Sequence, residues 1–169
     1  MSLVNGLPAH VLLVHFVVVL VPLTALALVV CAIWPQAARR LGLVLPLVAL
    51  ATLVSVPLTT NAGEWLEGHV GDNALVRRHA ELGDGLLPWA GGLFVLAVAV
   101  WWWVGRTAAP EAPDTARRPG TWVRVAATVL SLVVAAGAVV DVYRIGDSGA
   151  KAAWQHGFSK TASGAGDKG

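Results

Sequence analysis

The sequence predicts an all-α integral membrane protein, a bundle of four transmembrane helices, and three observations carry that prediction. Apolar residues make up 56% of the 169-residue chain and charged residues only 13%, about half the charged share of an ordinary soluble domain. The charges are also confined. None occurs from Met1 to Ala38, from Leu41 to Gly63, from Gly85 to Gly105 or from Val125 to Val140. The eight tryptophans fall toward the ends of these stretches, where amphipathic rings sit at headgroup level. The length is that of one domain. A net charge of +2, with basic residues scattered in pairs, gives no nucleic-acid surface. The single cysteine, Cys31, excludes an internal disulfide and a Cys-based metal motif.

A bilayer core needs about 20 apolar residues in helical form. The first three uncharged stretches meet this directly and place spans near residues 9–33, 41–60 and 86–104. The first span lacks a basic leader and is far longer than a signal-peptide core, so it is expected to be retained. The fourth stretch holds sixteen residues, about 24 Å at 1.5 Å per residue. It crosses, over 122–142, if Arg124 snorkels at one end and Asp141 lies just inside the other. Pro22, Pro46, Pro57 and Pro88 are tolerable where neighbouring helices satisfy the freed carbonyls. Ala90, Gly91, Gly92, Ala127, Ser131, Ala135 and Gly137 permit close helix contacts.

Between the spans, residues 107–120 read as a solvated linker rich in Ala, Pro and charge. The second and third spans are expected to continue past the bilayer as a raised helical hairpin. Asp72 is a good N-cap there, and Leu75, His79, Leu82 and Leu86 recur at helical spacing, turning His79 inward. Residues 1–145 form the four-span domain; 146–169, rich in Gly, Ala, Ser and Lys, form a short tail. Arg39 and Arg40 follow the first span, and Arg106, Arg117, Arg118 and Arg124 flank the third and fourth. The positive-inside rule makes both connections cytoplasmic and both termini extracytoplasmic.

Counting along the helices at 1.5 Å per residue places polar groups at two heights near the outer end. His10, Glu64 and His79 share one level, about 35 Å from the inner interface. His15, Thr60, Asp84 and Asp141 share a second, about 28 Å up. Such groups are expensive in a membrane and mark function unless they are paired or wet. His10 and His15 are five residues apart and diverge by about 140°, so a site must be completed across helices.

Two readings of this outer end stay open. In one, His79 together with either His10 or His15 ligates a b-type haem, or a transition metal ion binds there with Glu64 and His69 as secondary ligands. Thr60, Asp84 and Asp141 would give polar support, and the role would be electron transfer or metal handling. In the other, the chain is a non-catalytic membrane subunit or scaffold. Its polar layers are hydrogen-bonded struts, and its raised hairpin, with Trp65, docks a redox or membrane partner. Structural roles compete at each position: an interfacial place for His10 and His79, a backbone bond for His15, Arg144 as partner for Asp141, and solvation for Glu64, His69 and His156. A proton or ion path is disfavoured, because Thr24, Thr52, Ser55, Thr128 and Ser131 are too few to continue inward. No nucleophile–base pair, phosphate-cradling glycine loop or metalloprotease motif is present, so an enzyme is not expected.

Gly6-Leu7-Pro8-Ala9-His10 and Leu13-Val14-His15-Phe16 resemble the first helix of a broad family of small bacterial four-span membrane proteins, catalogued as a domain of unknown function. Members typically carry His-Pro-x-x-x-x-His-Phe there; here Val11 replaces the proline and the histidines stand one residue closer. The chain is similar again at Asn61-Ala62-Gly63-Glu64-Trp65 and at Arg78-His79-Ala80-Glu81-Leu82-Gly83. Its last matches are Tyr143-Arg144-Ile145-Gly146-Asp147-Ser148-Gly149 and Trp154-Gln155-His156-Gly157. The resemblance implies a bacterial cytoplasmic membrane location. Some relatives are joined to Rieske-type iron–sulfur domains, which implies a redox setting for those.

Overall fold

The computed structural model describes residues 3–4, 7–67, 74–107 and 120–154. Two two-residue strands, β1 (Leu3–Val4) and β2 (Leu7–Pro8), pair antiparallel ahead of the helices. The helices are α1 (Ala9–Ile33), α2 (Pro35–Leu41), α3 (Val44–Glu67), α4 (Ala74–Thr107) and α5 (Thr121–Trp154). The fold is all-α, and α1, α3, α4 and α5 are each long and apolar enough to cross a membrane.

The connection between the first two spans is itself helical. Trp34 is extended at φ −114°, and Pro35 opens α2 with a φ already suited to a first turn. Gly42 ends it at φ +50°, donating its N–H to Ala38 O at 3.0 Å, a conformation that glycine adopts without Cβ strain. Arg39 and Arg40 lie in the last turn, where cations complement the helix dipole. The second span accordingly starts at Val44, three residues later than the charge pattern places it.

α1 and α4 stand on opposite corners of the bundle, each flanked by α3 and α5. The core is lined by small residues, with Ala25, Ala49, Ala90, Ala97 and Ala138 nearly inaccessible beside Val21, Leu28, Leu45 and Leu93. The large side chains point outward, Phe16, Val19, Leu26 and Val95 among them. This inverted layout suits hydrocarbon, where apolar surface carries no penalty and close backbone approach supplies the packing. At mid-depth the Thr52 hydroxyl donates to Val48 O, so Thr24 donates to Thr52 Oγ1 across the α1–α3 contact at 2.7 Å.

Two helices outrun the bilayer. α4 has 34 residues, about 51 Å against a core of about 30 Å, so the uncharged Leu86–Val104 is long enough to cross and Ala74–Gly85, with Arg77, Arg78, Glu81 and Asp84, is the part suited to lie beyond it. α5 does not stop at Gly146, where the glycine content suggests a tail, but continues to Trp154. Three contacts support the extra turns. Asp147 pairs with Lys151 at 2.6 Å, Ser148 Oγ donates to Ile145 O at 2.8 Å, and Gly149 packs against the His79 ring. Tertiary packing outweighs the low helix propensity of glycine here. α3 continues to Glu67, so both arms of the raised hairpin are helical; its turn, with His69 and Asp72, lies outside the described residues.

Candidate functional site

The end of the bundle away from the arginine-rich connections is organised by two histidines from opposite corners. His10 sits in the first turn of α1 and His79 on the projecting part of α4. Their rings meet edge to face, centroids 6.1 Å apart and planes at 88°.

Each ring is anchored on a neighbouring helix. His10 Nδ1 lies 3.0 Å from Thr59 O on α3. A carbonyl only accepts, so Nδ1 carries the proton and donates. The ring rests in a notch where α3 has Gly63; a Cβ at that glycine would stand 3.1 Å from two ring atoms. His79 repeats the arrangement on α5. Its Nδ1–H is shared between Ile145 O at 3.1 Å and Ser148 Oγ at 2.9 Å. Its ring fills a notch at Gly149, where a Cβ would lie 3.0 Å from the nearest ring carbon. Thr59, Gly63, Ile145, Ser148 and Gly149 thus build the site, and sequence reasoning does not single them out as partners. The available signal is a glycine at matching height on the facing helix.

Burial lowers the His79 pKa below its usual 6.5, and a charge on His10 lowers it further, while the bond to Ile145 acts the other way. His79 lies two turns above Leu86, outside the membrane-crossing part of α4. With the proton fixed on Nδ1 in both rings, both Nε2 atoms keep free lone pairs.

The other expected residues distribute differently. His15 is exposed on the outer face of α1, its Nδ1 2.6 Å from Val11 O of its own helix. Glu64 and Asp84 are exposed. Thr60 faces Gly83 and donates to Pro57 O at 3.2 Å. Asp141 is half-buried against Gly85, and its Oδ2 has no hydrogen-bond partner among the described residues. Among those residues, no three His, Cys, Asp or Glu side chains are grouped so as to hold a metal ion.

Two cofactor fits can be tested on this geometry. A porphyrin between His10 and His79 needs a slot between the rings, yet the rings touch one another and are seated in their glycine notches. Bis-imidazole ligation of haem therefore requires the pair to separate. A metal ion finds two nitrogen donors, short of the four ligands of a closed protein site.

A family model described as "Predicted membrane protein (DUF2231)" matches residues 6–162. No curated protein matches, and no solved structure matches.

Proposed function

The chain belongs to the family of predicted membrane proteins described as DUF2231, and on that premise we propose that it is a non-catalytic membrane scaffold whose outer end docks a partner protein. The contact between His10 and His79 carries this reading. Both Nδ1–H groups are committed to hydrogen bonds with neighbouring helices, which is the work of struts. The basic flanks Arg39, Arg40, Arg106 and Arg124 favour a cytoplasmic position for the opposite end. The histidine pair and both termini then face outward from a bacterial cytoplasmic membrane. Trp154 supports docking: it is 67% exposed and, because α5 stays helical, stands thirteen residues beyond Asp141, about 20 Å of helix, further out than the headgroup level at which the tryptophan pattern alone sets it. Tyr143, 75% exposed, lies on the same projecting helix.

A second reading rests on one specific observation. Imidazoles that bind metals commonly donate their other N–H to a backbone carbonyl, and both rings do so here. In that reading Nε2 of His10 and His79 ligate a transition metal ion, or a b-type haem after the rings part. The remaining ligands would come from outside the described residues, and the role would be electron transfer or metal handling.

One preparation distinguishes the two. The full chain is purified in mild detergent, and its absorbance and metal content are measured beside His10→Gln and His79→Gln. The scaffold reading expects no Soret band, no stoichiometric metal, and lower thermal stability in both variants. A chromophore or metal present at one per chain and lost in the variants would overturn it. A photo-crosslinker at position 154 should capture a defined protein that the same probe at lipid-facing position 16 does not.

A further inference from the structure

At the basic end of the bundle α5 parts from its neighbours. Residues 121–126 are all exposed, whereas Ser131 and Ala135, about 1.5 and 2.5 turns further along, are buried. Thr128 Oγ1 donates across to Ala32 O on α1, at 3.4 Å. The wedge left between α5, the end of α1, α2 and α4 is a cleft of about 1250 Å³, larger than most small-ligand pockets.

The cleft combines an apolar wall with basic side chains. Its α4 wall runs from Leu96 to Val104, eight residues or about 12 Å, and is wholly apolar. Arg39 and Arg124 also line the cleft, together with Trp34 and the polar Gln36, Thr121 and Thr128, and neither arginine makes an ion pair among the described residues. Along the α4 wall ordered water finds no polar partner to hold it. Within a bilayer that wall must take an apolar chain, and the cleft then places two arginines beside whatever head that chain carries. Guanidinium pairs match phosphate oxygens in geometry and charge, and basic pockets between membrane helices suit anionic headgroups.

We propose that this cleft holds one anionic phospholipid of the surrounding leaflet, its phosphate between Arg39 and Arg124 and an acyl chain along the α4 wall. A second copy of the chain is a poor occupant, because it would bring its own Arg40, Arg106 and Arg124 against the same charges. Residues 108–119 are equally unsuited by composition, with Pro, Glu, Asp and Arg in place of a continuous apolar run.

Native mass spectrometry of the delipidated full chain, titrated with dioleoyl phosphatidylglycerol or dioleoyl phosphatidylcholine, tests this. The expected result is a single phosphatidylglycerol adduct that survives activation stripping phosphatidylcholine. The double variant Arg39→Gln/Arg124→Gln should lose that adduct at least fivefold, and the Lys pair should recover most of it. Arg144→Gln, at the far end, should leave it unchanged. Ala99→Phe, which fills the tail slot while keeping both charges, should weaken it comparably and carries the test if the double variant misfolds. Equal retention of the two lipids, an undiminished adduct in Ala99→Phe, a lipid-free dimer, or exchange-protected amides across 108–119 without lipid would each overturn the proposal.

Discussion

A double-mutant cycle on His10 and His79 measures the tie between the corners of the bundle. His10→Ala removes the 3.0 Å bond to Thr59 O and the ring contact with His79. A half-buried neutral hydrogen bond contributes about 1 kcal/mol net, and an edge-to-face ring pair about 0.5–1.5 kcal/mol. The single change should therefore cost about 1.5–2.5 kcal/mol. His79→Ala should cost a similar amount, because it loses its shared bond to Ile145 and Ser148 and the same ring contact. The ring contact is lost in both singles but only once in the double. The double variant should therefore be less destabilised than the two singles combined, by about 0.5–1.5 kcal/mol. Denaturant unfolding in micelles, followed by tryptophan fluorescence, reads this directly. Additivity within about 0.3 kcal/mol, as for independent sites, would show that the rings do not act as a pair, and the scaffold reading would lose the observation it stands on.

Other perturbations have equally definite outcomes. Because His79 has a pKa below 6.5 in the bundle, folding favours its neutral form. That contribution to stability is complete above pH 6.5 and declines as the pH drops from 6.5 toward the folded value. A melting temperature flat between pH 7 and about pH 5 would contradict this, and His79→Gln should flatten the profile. Gly137→Ala drives a Cβ into three ring carbons of Trp89; overpacking of this kind costs about 1–3 kcal/mol, and Trp89→Leu in the same chain should recover most of it. Unchanged stability in Gly137→Ala would mean the indole lies elsewhere. Thr24→Val removes the hydroxyl donated to Thr52 and should cost about 0.6–1 kcal/mol, the usual scale between membrane helices, whereas Thr24→Ser should keep the bond; equal losses in the two would assign the cost to packing.

Charge gaps alone locate the four long apolar helices, because a bilayer accepts few alternatives to an apolar helix. The first span is read as 9–33, and α1 occupies those residues. Where the bilayer stops dictating, legibility fades. Gly146 and Gly149 read locally as the end of a helix, and only the ring of His79 explains why a glycine at 149 belongs inside one. Heights follow from the rise per residue, so His10 and His79 can be set at one level by counting. Azimuth is harder. His15, about 140° around α1 from His10, emerges on the exposed face. Glu64, about 100° around α3 from the Gly63 notch, also turns outward. A sequence lists side chains and hides carbonyls, so the Thr59 and Ile145 oxygens that receive the two imidazole protons could not be named in advance.

The chain's own connections explain why the two ends of the bundle differ. At the histidine end only α3 and α4 are joined by a connecting segment, so α1 and α5 would be free to splay. His10 fastens α1 to α3, His79 fastens α5 to α4, and their mutual contact spans the diagonal, so each histidine supplies a link the connectivity omits. At the basic end the covalent links fall differently. α2 joins α1 to α3, and residues 108–120 join α4 to α5, which leaves the boundary between α1 and α5 without a connecting segment. Among the described residues a single long hydrogen bond, Thr128 to Ala32, crosses that boundary near the cleft, and the cleft opens there. Filling the slot with a lipid would give the basic end the cross-link that the histidines give the other. Anionic lipid should therefore raise the melting temperature of the wild-type chain more than that of Arg39→Gln/Arg124→Gln. It should do so by the same amount in His10→Ala as in wild type, since the two ties act at opposite ends. A lipid effect that vanishes in His10→Ala would show instead that the ends are mechanically coupled and that the cleft is not an independent site.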